Sequence, residues 1–338
     1  MAERLGGFKV LKNVARLSLV SPGGDRDFPA RVFRVIADEQ INLPYATSVF
    51  SDPAWGLTLV VEERDVERAA AALQTHIHNP ASFQPGGAIL SLFPHKKKPE
   101  ITQALFEAFG REGITTDALA NSPSAISIVL DEAMIDRASR ALFGPFTFSA
   151  YRTPADWKLA QKGKEQLYKE VVASYQEQRP KVYGLDYQDQ QTLFQMELSS
   201  TDPGRFSASL EGIVGSGMHM TFLATCPSRE DGMEEIAFCL PSSTDPASSD
   251  MANGRTTLDS SHALFPVATF SMNGPHFGDR YGIVSELFKA LEAGHVDLLG
   301  LSCTIASITG VVPSSHLTPA VEAVKDRFDI PSVIRRTA

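Results

Sequence analysis

The stretch DRYGIVSELFKALEAGHVDLL, residues 279–299, lays out a turn, a helix and a strand in one run. It holds a turn with a glycine, Gly282, and then a helix-period run. A second glycine, Gly294, stands just before an apolar stretch of Val and Leu. Phe288, Leu291 and Val296 occupy positions 0, +3 and +8 of this run. The first two share one helix face, and the third lies past the helix end, where a strand enters the same core. The spacing recurs in Phe33, Ile36 and Ile41, in Phe106, Phe109 and Ile114, and in Leu210, Ile213 and Met218. Gly113, Gly217 and Gly294 stand one or two residues before the strand, where a left-handed glycine can close a helix. The first copy has Glu39-Gln40 there instead.

Strand-like runs precede each helix: VARLSLV (14–20), AILSLF (88–93), LFQMEL (193–198) and VATFSM (267–272). Others follow the helices, at 41–50 with 57–61, at 125–130, at 218–226 with 234–240 and at 296–304 with 307–312, and second helices follow in three copies, at 64–77, 132–143 and 318–328. Short closing strands are expected at TFSAY (147–151) and SVIRR (332–336). The order is that of the ferredoxin-like βαββαβ unit. The expected fold class is α+β, with four tandem ferredoxin-like units arranged as two pairs. The expected division is 1–80, 81–151, a connecting helix over 152–180, 181–262 and 263–338. In the connecting helix Leu167, Val171 and Tyr175 mark an apolar face. The Ser/Asp-rich run 241–262 leaves the third unit's second helix short, distorted or replaced by a loop.

The 338 residues are 43% hydrophobic and 21% charged, as in globular proteins. A net charge of -9 argues against a nucleic-acid partner. The basic run His95-Lys96-Lys97-Lys98 is too short for a phosphate track and reads as a solvated loop. Cys226, Cys239 and Cys303 are odd in number and form no CxxC pair, which points to a reducing compartment. With neither a signal peptide nor a membrane-length apolar run, a cytoplasmic protein without a membrane partner is expected.

These residues resemble the ACT domain, a small βαββαβ module that binds amino acids and regulates enzymes, and most nearly the paired ACT domains of aspartate kinases. Residues 8–20 and 181–198 resemble the entrance to the first unit of such a pair. STDPGRFSASL (200–210) resembles the family's Asp-x-Pro-Gly-like turn, and GDRDFPARVF (24–33) resembles it without the glycine. SAISIVLDEAMIDRASRAL (124–142) and ASITGVVPSSHLTPAVEAV (306–324) resemble the second unit, and DRYGI (279–283) a turn common to many ACT modules. The resemblance covers about residues 8–150 and 181–336. It implies two regulatory pairs in tandem, with a ligand held between units whose sheets join side by side.

A free amino acid presents a carboxylate and an ammonium together. A helix N-terminus supplies unpaired N–H groups to the first, a nearby carboxylate accepts from the second, and glycine permits close approach. Asp279, Arg280, Tyr281, Gly282 and Ile283 have these parts, as do Asp202 and Gly204. Both Asp279 and Asp202 also serve as ordinary helix caps in a purely structural reading. Asp25 and Asp27 hold the matching turn of the first unit. Ser302, Cys303, Thr304 and Ile305 are expected to face the ligand's side chain in the resemblance, or to be plain strand packing.

No HExxH, G-x-S-x-G, GxxxxGK[ST] or dinucleotide fingerprint occurs, nor the Lys-x-Gly-Gly-like motif that opens the family's kinase domain. The expectation is therefore a non-catalytic amino-acid sensor with no cofactor and no metal. The resemblance implies lysine, threonine or a branched-chain amino acid as ligand, a partner enzyme of amino-acid metabolism, and a homo-oligomer. The alternative is an interaction scaffold of ACT-like units that has lost its ligand.

Overall fold

Asp27 ends an acidic turn and Phe28-Pro29 begins a helix, α1 (Phe28–Asp38), with proline in its first turn, where a missing N–H costs nothing. The computed structural model describes residues 2–79, 81–94, 97–161, 179–199, 210–211, 213–214, 218–230, 232–242, 261–274, 277–278, 280–305 and 307–336. Around α1 the N-terminal half runs β1 (Glu3–Leu5), β2 (Gly7–Val20), β3 (Tyr45–Ser51), β4 (Ala54–Glu62), α2 (Val66–His76) and β5 (Ser82–Phe93). It continues with α3 (Pro99–Arg111), β6 (Ala118–Asn121), β7 (Ile126–Asp131), α4 (Ile135–Leu142), β8 (Phe146–Phe148) and α5 (Pro154–Gln161). The C-terminal half comprises β9 (Gly184–Ser199), β10 (Phe222–Pro227), β11 (Met233–Pro241) and β12 (Ser261–Asn273). After these come α6 (Ile283–Ala293), β13 (Gly300–Thr304), β14 (Ser307–Pro313), α7 (Leu317–Arg327) and β15 (Val333–Arg335).

The architecture is α+β, built on one large sheet. Its strand order is β11-β10-β6-β7-β5-β2-β4-β3-β13-β14-β12-β9-β15, and β9 also pairs with β11. The strands from β11 round to β9 therefore form a closed ring, with β15 attached outside. One joint between the chain's halves is β3 against β13, antiparallel, from Gly300↔Val49 to Cys303↔Ala46. The other is β6 against β10, a single bridge at Ala120↔Ala224.

The expected closing strands take other places. Residues 146–148 pair in parallel with β1 in a separate two-stranded sheet, and residues 7–11 of β2 lie beside β5 instead. Residues 184–188 of β9 do the same beside β12, while β15 adds in parallel to β9. Two long strands thus each serve two packing environments. A bulge makes this work. Asn13 (φ 57) and Gln190 (φ 56) are left-handed, and the register shifts beside each. One extra residue reverses which side chains face out. Before Asn13, Phe8 faces outward; after it, Leu17 and Leu19 do, into a different core.

Helices lie outside the ring. One core joins the face under α1 and α2 to that under α6 and α7, so it combines the first and last sequence repeats. The second core joins the face under α3 and α4 to β9, β10 and β11, with Leu210, Ile213 and Trp157. Trp157 of α5 stacks on Phe8 at 4.9 Å, and Tyr151 Oη donates to Phe8 O at 2.7 Å, which docks the start of the expected connecting helix. Leu167, Val171 and Tyr175 lie outside the described residues, as does most of 241–262.

Between the inner faces the ring is unusually polar. Thr47 Oγ1 donates to Thr225 O at 2.7 Å, the Leu119 N–H donates to Thr225 Oγ1 at 2.8 Å, and Gln195 Nε2 donates to Phe50 O at 2.6 Å. The first and third bonds cross between strands that do not share a ladder, and the second reinforces the single bridge between β6 and β10. Buried groups of this kind need partners, so the bonds fix how the two faces meet.

Candidate functional site

The β3–β13 joint brings α1 and α6 side by side. Phe33 and Phe288 stack at 5.2 Å with 22° between rings. The start of α6 meets the far end of α1: a Cβ on Gly282 would lie 3.8 Å from Ala37 Cβ. At the opposite end Arg26 reaches Asp297 at 3.7 Å, and along the seam Arg34 reaches Glu292 at 3.4 Å. Both pairs are solvent-exposed and weak.

A crevice opens where the start of α6 meets α1. Phe33, Ile36 and Ala37 of α1, with Ile41 and Leu43 beyond its end, form one wall. Phe277, Arg280 and residues 282–285 form the other. Its cavity volume is about 10 Å³, room for roughly one water. Ile283, Val284 and Ser285 are buried, and Arg280 and Tyr281 are half-buried. Gly282 precedes the helix in the left-handed region, φ 82, which glycine adopts without strain. No carboxylate side chain lines the crevice among the described residues.

Arg280, Gly282 and Ile283 thus come together here, with Tyr281 beside them. Asp27 does not join them: it is exposed, at the start of α1, with no side-chain cap bond. Ser302 and Thr304 lie on the inner face of β13. Ser302 Oγ donates to Asn121 O at 2.6 Å, and Thr304 Oγ1 to Ser307 O at 3.3 Å. Strand alternation sends Leu301 and Cys303 to the helix side instead. Asp279, Asp202 and Gly204 lie outside the described residues. Ala37, Phe277 and Ser285 were not singled out from sequence. Ala37 was legible in principle, since it lies four residues after Phe33, one turn along a helix face already marked apolar.

A second polar group lies where β2, β5, the start of β6 and β11 meet. Arg16 Nη1 approaches Glu234 at 3.3 Å and donates to Asp117 O, while Arg16 Nη2 donates to Gln84 Oε1 at 2.8 Å. Burial pushes the Glu234 carboxyl up to about 7, against the opposing pull of Arg16. Burial, then the Glu197 carboxylate, pushes Glu235 to about 7. Burial also raises Asp117 and Tyr45. The arrangement ties the two halves of the chain together through one guanidinium.

Among the described residues no group of three or more His, Cys, Asp or Glu is placed to hold a metal ion. Burial raises all three cysteine thiols. Among the described residues no helix is long and apolar enough to cross a membrane.

No protein-family model matches the chain, and no curated protein matches its sequence. Among solved structures, aspartate kinase from Synechocystis matches over 100% of this chain and 58% of its own, with 16% identity and a TM-score of 0.75. The ligand-free regulatory subunit of aspartate kinase from Thermus thermophilus matches 42% of this chain and 98% of its own, with 20% identity and a TM-score of 0.39. Aspartokinase III of E. coli, in complex with lysine and aspartate, matches 42% of this chain and 33% of its own, with 16% identity and a TM-score of 0.33. The expectation of a chain that is not an enzyme is corrected by the first of these: the protein whose fold this whole chain follows is an enzyme. A search for short phosphate motifs reads only contiguous segments, so their absence does not exclude an enzyme. In backbone, this chain is similar along its full length to just over half of an aspartate kinase.

Proposed function

We propose that this chain is an amino-acid-responsive allosteric unit built from four ACT-like modules, whose output is an enzyme activity. Its divisions are residues 1–80, 81–151, 152–180, 181–262 and 263–338. The first module pairs side by side with the fourth, and the second with the third. The ligand is a free amino acid bound at the turn of residues 280–283, between the first and fourth modules, in a cytoplasmic homo-oligomer.

The observation that supports this best is the α1–α6 seam over the β3–β13 joint. It sets a glycine-bearing turn, with Arg280, against the side of a neighbouring helix. The crevice is nearly closed, so a ligand must part the two helices to enter. Such a ligand binds one seam state better than the other, which is what allostery requires. Calorimetry on the full chain against each of the twenty amino acids tests the reading. Saturable binding of at least one supports it, and binding by none of them defeats it.

The filled crevice also favours a second reading, a scaffold that keeps side-by-side pairing without a ligand. In that case the same titrations are silent, while assembly with a partner survives the substitution Arg280→Ala.

A further inference from the structure

The joint between β6 and β10 is one bridge long, Ala120↔Ala224. Continued in register it would set Asp117 opposite Pro227, which has no N–H to donate. Asp117 O accepts from Arg16 Nη1, and the same nitrogen approaches Glu234 at 3.3 Å. Glu234 is the partner of Pro227 in the β10–β11 ladder. Arg16 of β2 therefore spans the joint, from the start of β6 to β11.

Charge and burial make that span sensitive to protons. Arg16 sets one positive charge against two carboxyls, Glu234 and Asp117, and Asp131 of β7 adds a further negative charge near Asp117. Gln84 of β5 bonds the guanidinium without adding charge. One residue along β11, Glu235 is buried and stands directly opposite Glu197 of β9. Like charges directly opposite on a ladder destabilise it. Ser51 of β3 hydrogen-bonds Glu235, and Ser228 donates to Glu197. Tyr45 of β3 and Cys226 of β10, beside these acids, stay neutral because burial raises both.

A buried carboxyl resists ionising, and an ionised one regains water when the strands part. Glu234 and Glu235, raised to about 7, thus hold their protons more tightly in the closed ring than in the open one. By linkage, protonation favours closure fully below about 4.5, and that preference is lost as pH rises towards 7.

We propose that the β6–β10 joint is a proton-operated latch: the ring is closed there while Glu234, Glu235 and Asp117 carry protons, and it opens there as they ionise, with β3–β13 still paired. The longer β3–β13 ladder, from Gly300↔Val49 to Cys303↔Ala46, is the hinge. The latch is independent of whether an amino acid binds at residues 280–283.

The test is amide hydrogen exchange on the full chain from pH 5.5 to 8, expressed as protection factors so that the intrinsic pH dependence of exchange cancels. The Leu119 N–H, which donates to Thr225 Oγ1, reports the latch, and Ser48 reports the hinge. Expected is a Leu119 protection factor about tenfold lower at pH 8 than at pH 5.5, with that of Ser48 nearly constant. In the double variant Glu234→Gln, Glu235→Gln most of the Leu119 change should vanish. Thermal unfolding checks that the variant folds, and the comparison of the two joints in the wild type stands without it. Equal loss of protection at both amides overturns the latch, because the chain then opens as a whole. Constant protection at Leu119 overturns it as well. A full wild-type change retained by the folded double variant overturns the assignment to these carboxyls.

Discussion

Phe33 stacks on Phe288 across the seam between α1 and α6, and the two rings hold the same position in two copies of one sequence repeat. Both are largely buried in the core that unites the chain's first and last repeats. Either change to Ala should cost about 3–5 kcal/mol. The cycle Phe33→Leu, Phe288→Leu and the double variant should yield a coupling of about 0.5–1.5 kcal/mol in urea unfolding. Strict additivity would mean the rings merely share a core.

Gly56 of β4 faces β10 across the ring interior. A Cβ there would lie 2.3 Å from Pro227 O and 3.0 Å from Cys226 Cβ. The obstacle is backbone, which cannot swing aside. Gly56→Ala should therefore destabilise by about 1–3 kcal/mol. Gly110→Ala, in α3 with nothing near its Cβ, should instead stabilise by about 0.5–1 kcal/mol. Thermal unfolding of both variants separates crowding from a general intolerance of change.

Thr225 holds together the weaker joint. The single bridge between β6 and β10 is reinforced by the Leu119 N–H donating to Thr225 Oγ1 at 2.8 Å. Thr225→Val keeps the shape and leaves that buried N–H without its acceptor, at about 1–3 kcal/mol. Hydrogen exchange should quicken at Leu119 more than at Ser48 on the β3–β13 joint. Equal change at both would show that the joints open as one.

Glu234 makes stability depend on pH with a definite sign. Its folded value, about 7, lies above the ordinary 4.5. Between those two the folded chain keeps a proton that the unfolded chain has released. The stabilisation is complete below about 4.5 and is lost as pH rises towards 7, by on the order of 3 kcal/mol. Glu235, also raised to about 7, acts in the same direction. Urea midpoints from pH 4.5 to 8 should fall in the wild type and fall less in Glu234→Gln. Matching slopes would show that Glu234 is not buried as a charge.

Much of the local structure was legible in the chain itself. The triplets beginning at Phe33, Phe106 and Phe288 mark helices α1, α3 and α6 and the residues that bury them, because a helix face repeats every three or four residues whatever surrounds it. The glycine of DRYGI marks the turn into α6 for the same local reason. Ser302 shows the limit. Its alternation with Leu301 and Cys303 was readable, but its partner, Asn121 O, belongs to another part of the ring.

By itself, then, the sequence determined which residues form helices and strands and which side of each is apolar, since these depend on neighbours a few positions away. The folded structure alone shows that the first repeat joins the last, that β2 and β9 each serve two cores through a bulge, and that Gly282 meets Ala37. Backbone hydrogen bonds between strands carry no address. Which distant strands pair is set by the fit of whole faces, and by the buried Thr, Gln and Arg bonds that one closure of the ring satisfies together.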